Sequence, residues 1–280
     1  MLGAEFVDIL CIGSGSAGLA VGVAAAEAGM KVFVAEPATE VATPAVSSVE
    51  SWQAVLQRRW GAEELNNASI NYLEQLTSSL GPPAPIRASG HLRVDTVETF
   101  AAAEVDPTEP VPPFRGADLA TWARECLTSP FGMIFSRVSS PAFTPVRKVD
   151  GTSVNAGLIA SVPAAHRRET TIRQWLSELA RDSGVEIHRP CSIQRLLFGD
   201  GQLVGAQLDT PDGVRSVRAR RGVVLGTSSS TVDDALWMSP TAGGDIKLCT
   251  VGKTASRFAR LEFLLSAASY SACAAEGRLA

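Results

Sequence analysis

One six-residue stretch and one distant carboxylate carry the types and spacing that point to chemistry: Gly13-Ser14-Gly15-Ser16-Ala17-Gly18, and Glu36. Glycines at this spacing suit a chain that must grip a diphosphate. Gly13 permits a sharp turn, Gly15 lets backbone amides approach phosphate, and Gly18 lets a helix lie close on a sheet. The helix that follows would aim the positive end of its dipole at the same anion. Glu36 lies about 20 residues further on, where a carboxylate can accept hydrogen bonds from a ribose.

Outside that stretch the candidates are thin. The chain has three histidines, His91, His166 and His188, and two tyrosines, Tyr72 and Tyr270. His188 sits at the end of an expected strand, which suggests a structural role. His166-Arg167-Arg168 could hold a phosphate or carboxylate, although a solvated basic turn is the plainer reading. His91 and Arg137 fall in the middle of the chain with no spacing that ties them together, and both tyrosines fall on helical periodicity. No Ser/His/Asp order and no metal-ligand spacing is visible. No residue is singled out as catalytic.

The elements that must position the glycine stretch are legible around it. Val7 to Ile12 reads as a strand, the alanine-rich run ending at Gly29 as a helix, and Lys31 to Ala35 as a second strand. Two alternatives stand beside that reading. One is a glycine turn that has lost its ligand. The other is a membrane span, because Ile9 to Ala26 is uncharged and of sufficient length. Glycines and serines inside the stretch, with Asp8 just before it, favour two elements and a turn.

Further along, Ser47 to Glu50 has the form of a capping box opening a helix through Trp52, Val55, Leu56 and Trp60, which Gly61 ends. A second helix is expected from Glu63 to Leu80. Two proline-rich connectors, Gly81 to Pro85 and Pro107 to Pro113, read as extended surface links. Between them, His91 to Val94 reads as a short strand and Val97 to Glu104 as a short helix. Asp118 to Leu127 is another expected helix, and Phe131 to Phe135 an apolar core segment.

Residues 41 to 150 therefore read as an insertion with its own small core. Regular pattern returns with Ile172, Trp175, Leu176 and Leu179 on one helical face, stopped by Gly184. A strand follows at Val185 to His188. Ile193 to Phe198, Leu203 to Leu208 and Val214 to Ala219 then form a meander with turns at Gly199-Asp200-Gly201 and Asp212-Gly213. A buried strand, Gly222 to Gly226, and a helix from Ser256 to about Cys273 complete the chain.

The 280 residues are 45% hydrophobic and 19% charged, with a net charge of −4. There is core enough for one large or two modest domains, and no basic run to track nucleic acid. Five scattered cysteines, without a C-x-x-C pair, fit a reducing cytoplasm, and no secretory signal is expected, because basic residues are missing before the N-terminal apolar run and a cleavage site after it.

Asp8 to Gly18, with the downstream run Gly184-Val185-Glu186-Ile187, Leu203-Val204-Gly205 and Arg221 to Thr227, resembles the FAD-binding flavoproteins of the fumarate reductase and 3-ketosteroid dehydrogenase type. The resemblance implies an α/β fold: a Rossmann-like FAD-binding domain with a three-stranded β-meander and a small, mainly helical inserted domain. Residues 1–40 and 151–280 would form the discontinuous nucleotide domain, and 41–150 the inserted substrate domain. It also implies FAD as cofactor, a small-molecule substrate, and hydride transfer at a carbon–carbon bond next to a carbonyl or carboxylate. By the same resemblance Gly13, Gly15 and Gly18, with the N–H groups of Ser14, Ser16 and Ala17, would hold the pyrophosphate. Glu36 would hold the adenosine ribose, the backbone of Ser192 and Ile193 would meet the adenine, and Thr227 would close the site beneath the first turn. The sequence departs from the family where residues 37 to 48 lack glycine and where Ser228 and Ser229 follow Thr227 in place of a glycine pair. Those departures keep a second reading in view, a non-catalytic subunit that completes a partner flavoprotein.

Overall fold

The computed structural model describes residues 4–13, 15–37, 50–84, 92–100, 116–137, 143–162, 171–227 and 246–267. The first half supplies β1 (Glu5–Ile12), α1 (Ser16–Glu27), β2 (Val32–Ala35), α2 (Trp52–Arg59), α3 (Asn67–Thr77), β3 (Arg93–Val97), α4 (Gly116–Leu127), β4 (Gly132–Phe135) and β5 (Thr144–Arg147). The second half supplies β6 (Ser153–Ser161), α5 (Ile172–Asp182), β7 (Ile187–His188), β8 (Ser192–Gly199), β9 (Gln202–Thr210), β10 (Gly213–Gly226), β11 (Ile246–Gly252) and β12 (Phe258–Ser266). The twelve strands form one mixed sheet with the helices packed on it, the expected α/β architecture.

Its nucleotide-type half is parallel, in the order β7-β2-β1-β10, with Ile12 beside both Ala35 and Leu225. Helices α1 and α5 cover one face. There Ala17, Leu19, Ala20 and Val23 share a core cluster with Ile172, Trp175, Leu176 and Ala180. α5 begins where the sequence can satisfy its first amides: Thr171 and Gln174 cap each other's backbone in a reciprocal box. Helices α2, α3 and α4 and the β8–β9 hairpin cover the opposite face. The hairpin and the first half of β10 form the expected meander, β9 pairing with both β8 and β10.

Several expectations are corrected. Ser256 to Cys273 is not a helix over residues 256–266: Phe258–Ser266 is strand β12, hydrogen-bonded to β11 on one side and to β4 and β3 on the other. Its residues are buried on both faces, so its leucines carry no alternation to betray a strand. Residues after 267 lie outside the described set. Val214 to Ala219 and Gly222 to Gly226 are one continuous strand, β10. The described residues between 50 and 150 do not have a core of their own. Trp52, Leu56, Trp60 and Leu73 pack in one cluster with Val7, Leu10, Phe33 and Leu225. The segment carries helices α2, α3 and α4, in keeping with the mainly helical expectation, and its strands β3, β4 and β5 join the main sheet, with β4 antiparallel between β10 and β12.

Local boundaries also shift. Ser51, not the Ser47 to Glu50 box, caps α2, its Oγ accepting from the Ala54 amide; 47–49 lie outside the described residues. α3 starts at Asn67 behind an Asn66 cap. Residues 98–100 are not helical, and 101–104 lie outside the described residues. Among the described residues no helix is long and apolar enough to cross a membrane, and no cluster of His, Cys, Asp or Glu could hold a metal ion.

Away from the parallel strands a chain of charges is buried under the second half of the sheet. Glu262, fully buried, accepts from Lys148 Nζ at 3.0 Å and from Arg260 Nε at 2.7 Å. Lys148 also donates to Asp95 at 2.5 Å, and Arg260 to Glu125 at 3.0 Å. Burial pushes the Asp95 carboxyl up, but the hydrogen bonds with Lys148 and Glu262 and the charges of Lys148 and Arg93 outweigh it, so its pKa falls below the usual value. A carboxyl depressed on folding adds stability above its unfolded pKa and loses it as pH falls through the folded one. Asp95→Asn is expected to flatten the acid limb of the stability–pH curve, measured by urea unfolding between neutral and strongly acid pH. An acid limb as steep as in the parent would contradict that assignment.

Candidate functional site

The glycine turn lies at the carboxyl ends of the parallel strands, the edge where open α/β sheets bind ligands. β1 ends at Ile12, and Gly13 takes φ +88°, a left-handed conformation that disfavours side chains. Its amide donates to Ala35 O at 2.9 Å, which ties the turn to the end of β2. Helix α1 begins behind Gly15, and no side chain among the described residues caps it. An uncapped start leaves first-turn amides to seek acceptors outside the helix. Gly18 lies so close to the turn that a Cβ there would stand 1.9 Å from Gly13 O. Helix and turn are therefore locked together through the missing side chain. Ser16, Ala17 and Gly18 are buried there, and Ser14 lies outside the described residues.

The end of β10 closes the site from below. A Cβ on Gly226 would lie 3.3 Å from both Gly13 O and Ile12 O, so strand end and turn are in contact. Thr227 follows, wholly buried, its amide donating to Gly132 O at 3.0 Å and its Oγ1 without a partner among the described residues. Two residues of the α2 terminus, not anticipated from sequence, reach this point. Trp60 Nε1 donates to Gly226 O at 2.7 Å, and Arg59 Nη1 to Thr227 O at 2.6 Å.

Glu36 occupies the end of β2, 5% exposed. Its amide donates to His188 O at 3.0 Å, and its carbonyl accepts from the Cys191 amide at 2.6 Å. Its carboxylate is engaged on both sides: Oε1 accepts from Arg173 Nη2 and Oε2 from Arg189 Nη2. The spacing that places an acid here gives no sign of either arginine. One signal did exist, because Arg173 lies in the first turn of α5, where a cation opposes the helix dipole unless an acid holds it.

Ser192 and Ile193 begin β8 just beyond Cys191, Ile193 buried and paired in register with Leu208. His188 stacks on Phe33 with ring centroids 3.9 Å apart. Burial and the nearby Arg215 charge lower its pKa despite Glu186 and Glu5, so it is a packed, neutral ring. The turn, Glu36, Ser192, Ile193 and Thr227 thus gather at one edge of the sheet. His91, His166 and Tyr270 lie outside the described residues. Arg137 lies away from the turn, lining a cleft with Phe6, Asp200, Arg218 and Arg220.

The family described as DAO, FAD dependent oxidoreductase, matches residues 8–262. No curated protein matches the chain. Among solved structures it is similar to the open conformation of a flavocytochrome c3 fumarate reductase, at 17% identity and TM-score 0.29, over 77% of this chain and 32% of that one. It is also similar to 3-ketosteroid-delta4-(5alpha)-dehydrogenase from Rhodococcus jostii, at 19% identity and TM-score 0.30, over 78% of this chain and 45% of that one. A geranylgeranyl bacteriochlorophyll reductase-like protein from Thermoplasma acidophilum aligns at 12% identity and TM-score 0.29, over 96% of this chain and 58% of that one. The chain spans less than two thirds of each of these structures.

The residues at the turn fit a dinucleotide's diphosphate. Gly13 and Gly18 leave no side chain between turn and helix, α1 is uncapped, and the unpartnered Thr227 hydroxyl is buried beside them. At the ribose position the fit requires the Glu36 carboxylate to exchange at least one guanidinium for a sugar hydroxyl.

Proposed function

The chain belongs to the FAD dependent oxidoreductase family, and from that premise we propose that it binds FAD at the glycine turn and takes part in hydride transfer at a carbon–carbon bond next to a carbonyl or carboxylate. When bound, the flavin supplies the hydride acceptor or donor. Gly13, Gly15 and Gly18 admit the diphosphate, and the N–H groups of Ser14, Ser16 and Ala17 bind it. Glu36 orients the adenosine ribose, the backbone of Ser192 and Ile193 meets the adenine, and Thr227 supports the turn from beneath. The reaction type rests on the sequence resemblance of residues 8–18 and 221–227 to the fumarate reductase and ketosteroid dehydrogenase type. The binding role rests on one observation, the contact between Gly18 and Gly13 O that holds an uncapped helix start at the carboxyl edge of the sheet.

The purified chain is expected to show flavin absorbance, and Gly15→Val to abolish it while the far-ultraviolet spectrum stays that of the parent. Colourless parent protein, or undiminished flavin in the variant, contradicts the binding role. A second reading is favoured by the two guanidiniums on Glu36: a non-catalytic subunit whose ribose acid serves the fold and which completes a partner flavoprotein. Colourless protein that copurifies with a second, flavin-containing polypeptide would support it.

A further inference from the structure

Among the described residues, Arg59 is a cation enclosed without an ion-pair partner. It ends α2 with 7% of its surface exposed, and its Nη1 is anchored on two carbonyls, Thr227 O at 2.6 Å and Leu127 O at 3.2 Å. Its Nε and Nη2 are buried and have no partner among the described residues. These two atoms form the flat edge of a guanidinium that grips carboxylate or phosphate with two parallel hydrogen bonds. The Thr227 hydroxyl, on the residue whose carbonyl anchors Arg59, is buried and unpartnered as well.

Glu50, whose charge reaches Arg59, is paired with Arg58. Arg58 also has unpartnered N–H groups, but it has that counter-ion and keeps 29% of its side chain exposed. Burial, aided by the Arg58 charge and opposed by Glu50, pulls the Arg59 guanidinium down to about 10, which leaves it charged at neutral pH. A buried charge with its hydrogen-bonding edge open is costly unless a partner fills it. The place is next to the glycine turn, because Thr227 follows Gly226, whose own Cβ position is 3.3 Å from Gly13 O.

We propose that the Nε/Nη2 edge of Arg59, together with the Thr227 hydroxyl, seats an oxyanion of the ligand. The identity of that anion rests on the dinucleotide reading of the turn: it is a diphosphate oxygen of the cofactor or the carboxylate of the substrate. Arg59 is held by Nη1 alone, so the edge is preorganised and no rotamer has to change when the anion arrives.

The test uses the full chain, freed of carried ligand at high salt, titrated with inorganic pyrophosphate and separately with succinate while thermal unfolding is followed. One of the two anions is expected to raise the unfolding temperature of the parent. Arg59→Lys keeps the charge and loses the flat edge, and should weaken that anion by about tenfold or more. Thr227→Val, which leaves Arg59 and its anchoring carbonyl in place, should weaken it by about threefold. A response to pyrophosphate assigns the seat to the dinucleotide, and a response to succinate assigns it to the substrate. The proposal is overturned if neither anion acts on the parent, or if the response is undiminished in Arg59→Lys. Should that variant not fold, an undiminished response in Thr227→Val overturns it equally. Flavin rebinding on the same samples separates the two readings. Flavin bound without any anion response removes the seat alone, whereas an anion response without flavin binding removes the cofactor reading and leaves the seat.

Discussion

Replacing Glu262 by glutamine is expected to lower folding stability by about 3–5 kcal/mol, the range for removing one partner of a buried ion pair. The carboxylate is fully buried and stands between Lys148 and Arg260, whose side chains are 7% and 9% exposed. A neutral amide leaves both cations enclosed, with only Asp95 and Glu125 to compensate them at the ends of the chain of charges. Domains of ordinary size are stable by about 5–15 kcal/mol, so this single change would use up a large part of the total. Arg93 offers the internal control. It pairs with Asp95 in the same network, but its side chain is 55% exposed, and Arg93→Gln should cost no more than about 1 kcal/mol. Urea midpoints of the two variants at equal m-values decide the matter. If Glu262→Gln unfolds with the parent, the network is an ornament of the fold and not one of its supports.

Gly18→Ala is expected to be the most damaging change near the turn. Its new methyl would stand 1.9 Å from Gly13 O and 3.1 Å from Gly13 C. Both are backbone atoms and cannot rotate aside, so α1 must lift off the sheet or the turn must open. Overpacking costs about 1–3 kcal/mol when side chains can yield, and a backbone contact belongs at or above the top of that range. Flavin binding should be lost with it, since the proposed diphosphate site is built from the turn and the helix start. Gly22→Ala, one turn along the same helix, meets side-chain methyls, the nearest being Val34 Cγ2 at 3.2 Å. That methyl can shift, and alanine gains up to about 1 kcal/mol of helix propensity, so this variant should stay within about 1 kcal/mol of the parent and keep its flavin. Equal behaviour of the two alanine variants would show that the close approach does not hold the site.

The legible parts of this sequence are those whose cause is local. Strand β1, the turn, α1 and β2 follow from apolar runs punctuated by glycine, and α5 from the spacing of Ile172, Trp175 and Leu176 behind a cap. The meander shows because its turns are marked, with Gly201 at φ +73° and Gly213 at φ +101°. Strands β6, β11 and β12 are hidden because each has a partner far away in the chain: Thr250 of β11 pairs with Gly157 of β6, and Phe263 of β12 with Val94 of β3. In β12, eight successive residues from Phe258 to Leu265 are buried, so neither a two-residue nor a 3.6-residue period survives.

The site divides in the same way. Gly13, Gly18 and Glu36 declare themselves through spacing, whereas Arg59 reaches Thr227 across 168 residues and Arg189 reaches Glu36 across 153. A lone arginine at a helix end looks like any solvated cation until the fold supplies its neighbours. Arg59 was doubly concealed, because a base in the last turn of α2 already suits that helix's dipole.

Strand β4 governs how this molecule can open. It is stitched to β10 through Val224–Phe135, Leu225–Ile134 and Gly226–Met133, and to β12 through Phe258–Ile134, Ala259–Met133 and Arg260–Gly132. A clamshell motion between the parallel strands and the strands beyond β4 would have to rip one of those ladders. At the edge beside Gly13 the end of α2 is fixed by packing as well as by hydrogen bonds: Trp60 is buried in the main core and donates to Gly226 O, and Arg59 donates to Thr227 O and Leu127 O. Sheet and helix end therefore hold the glycine edge as one piece.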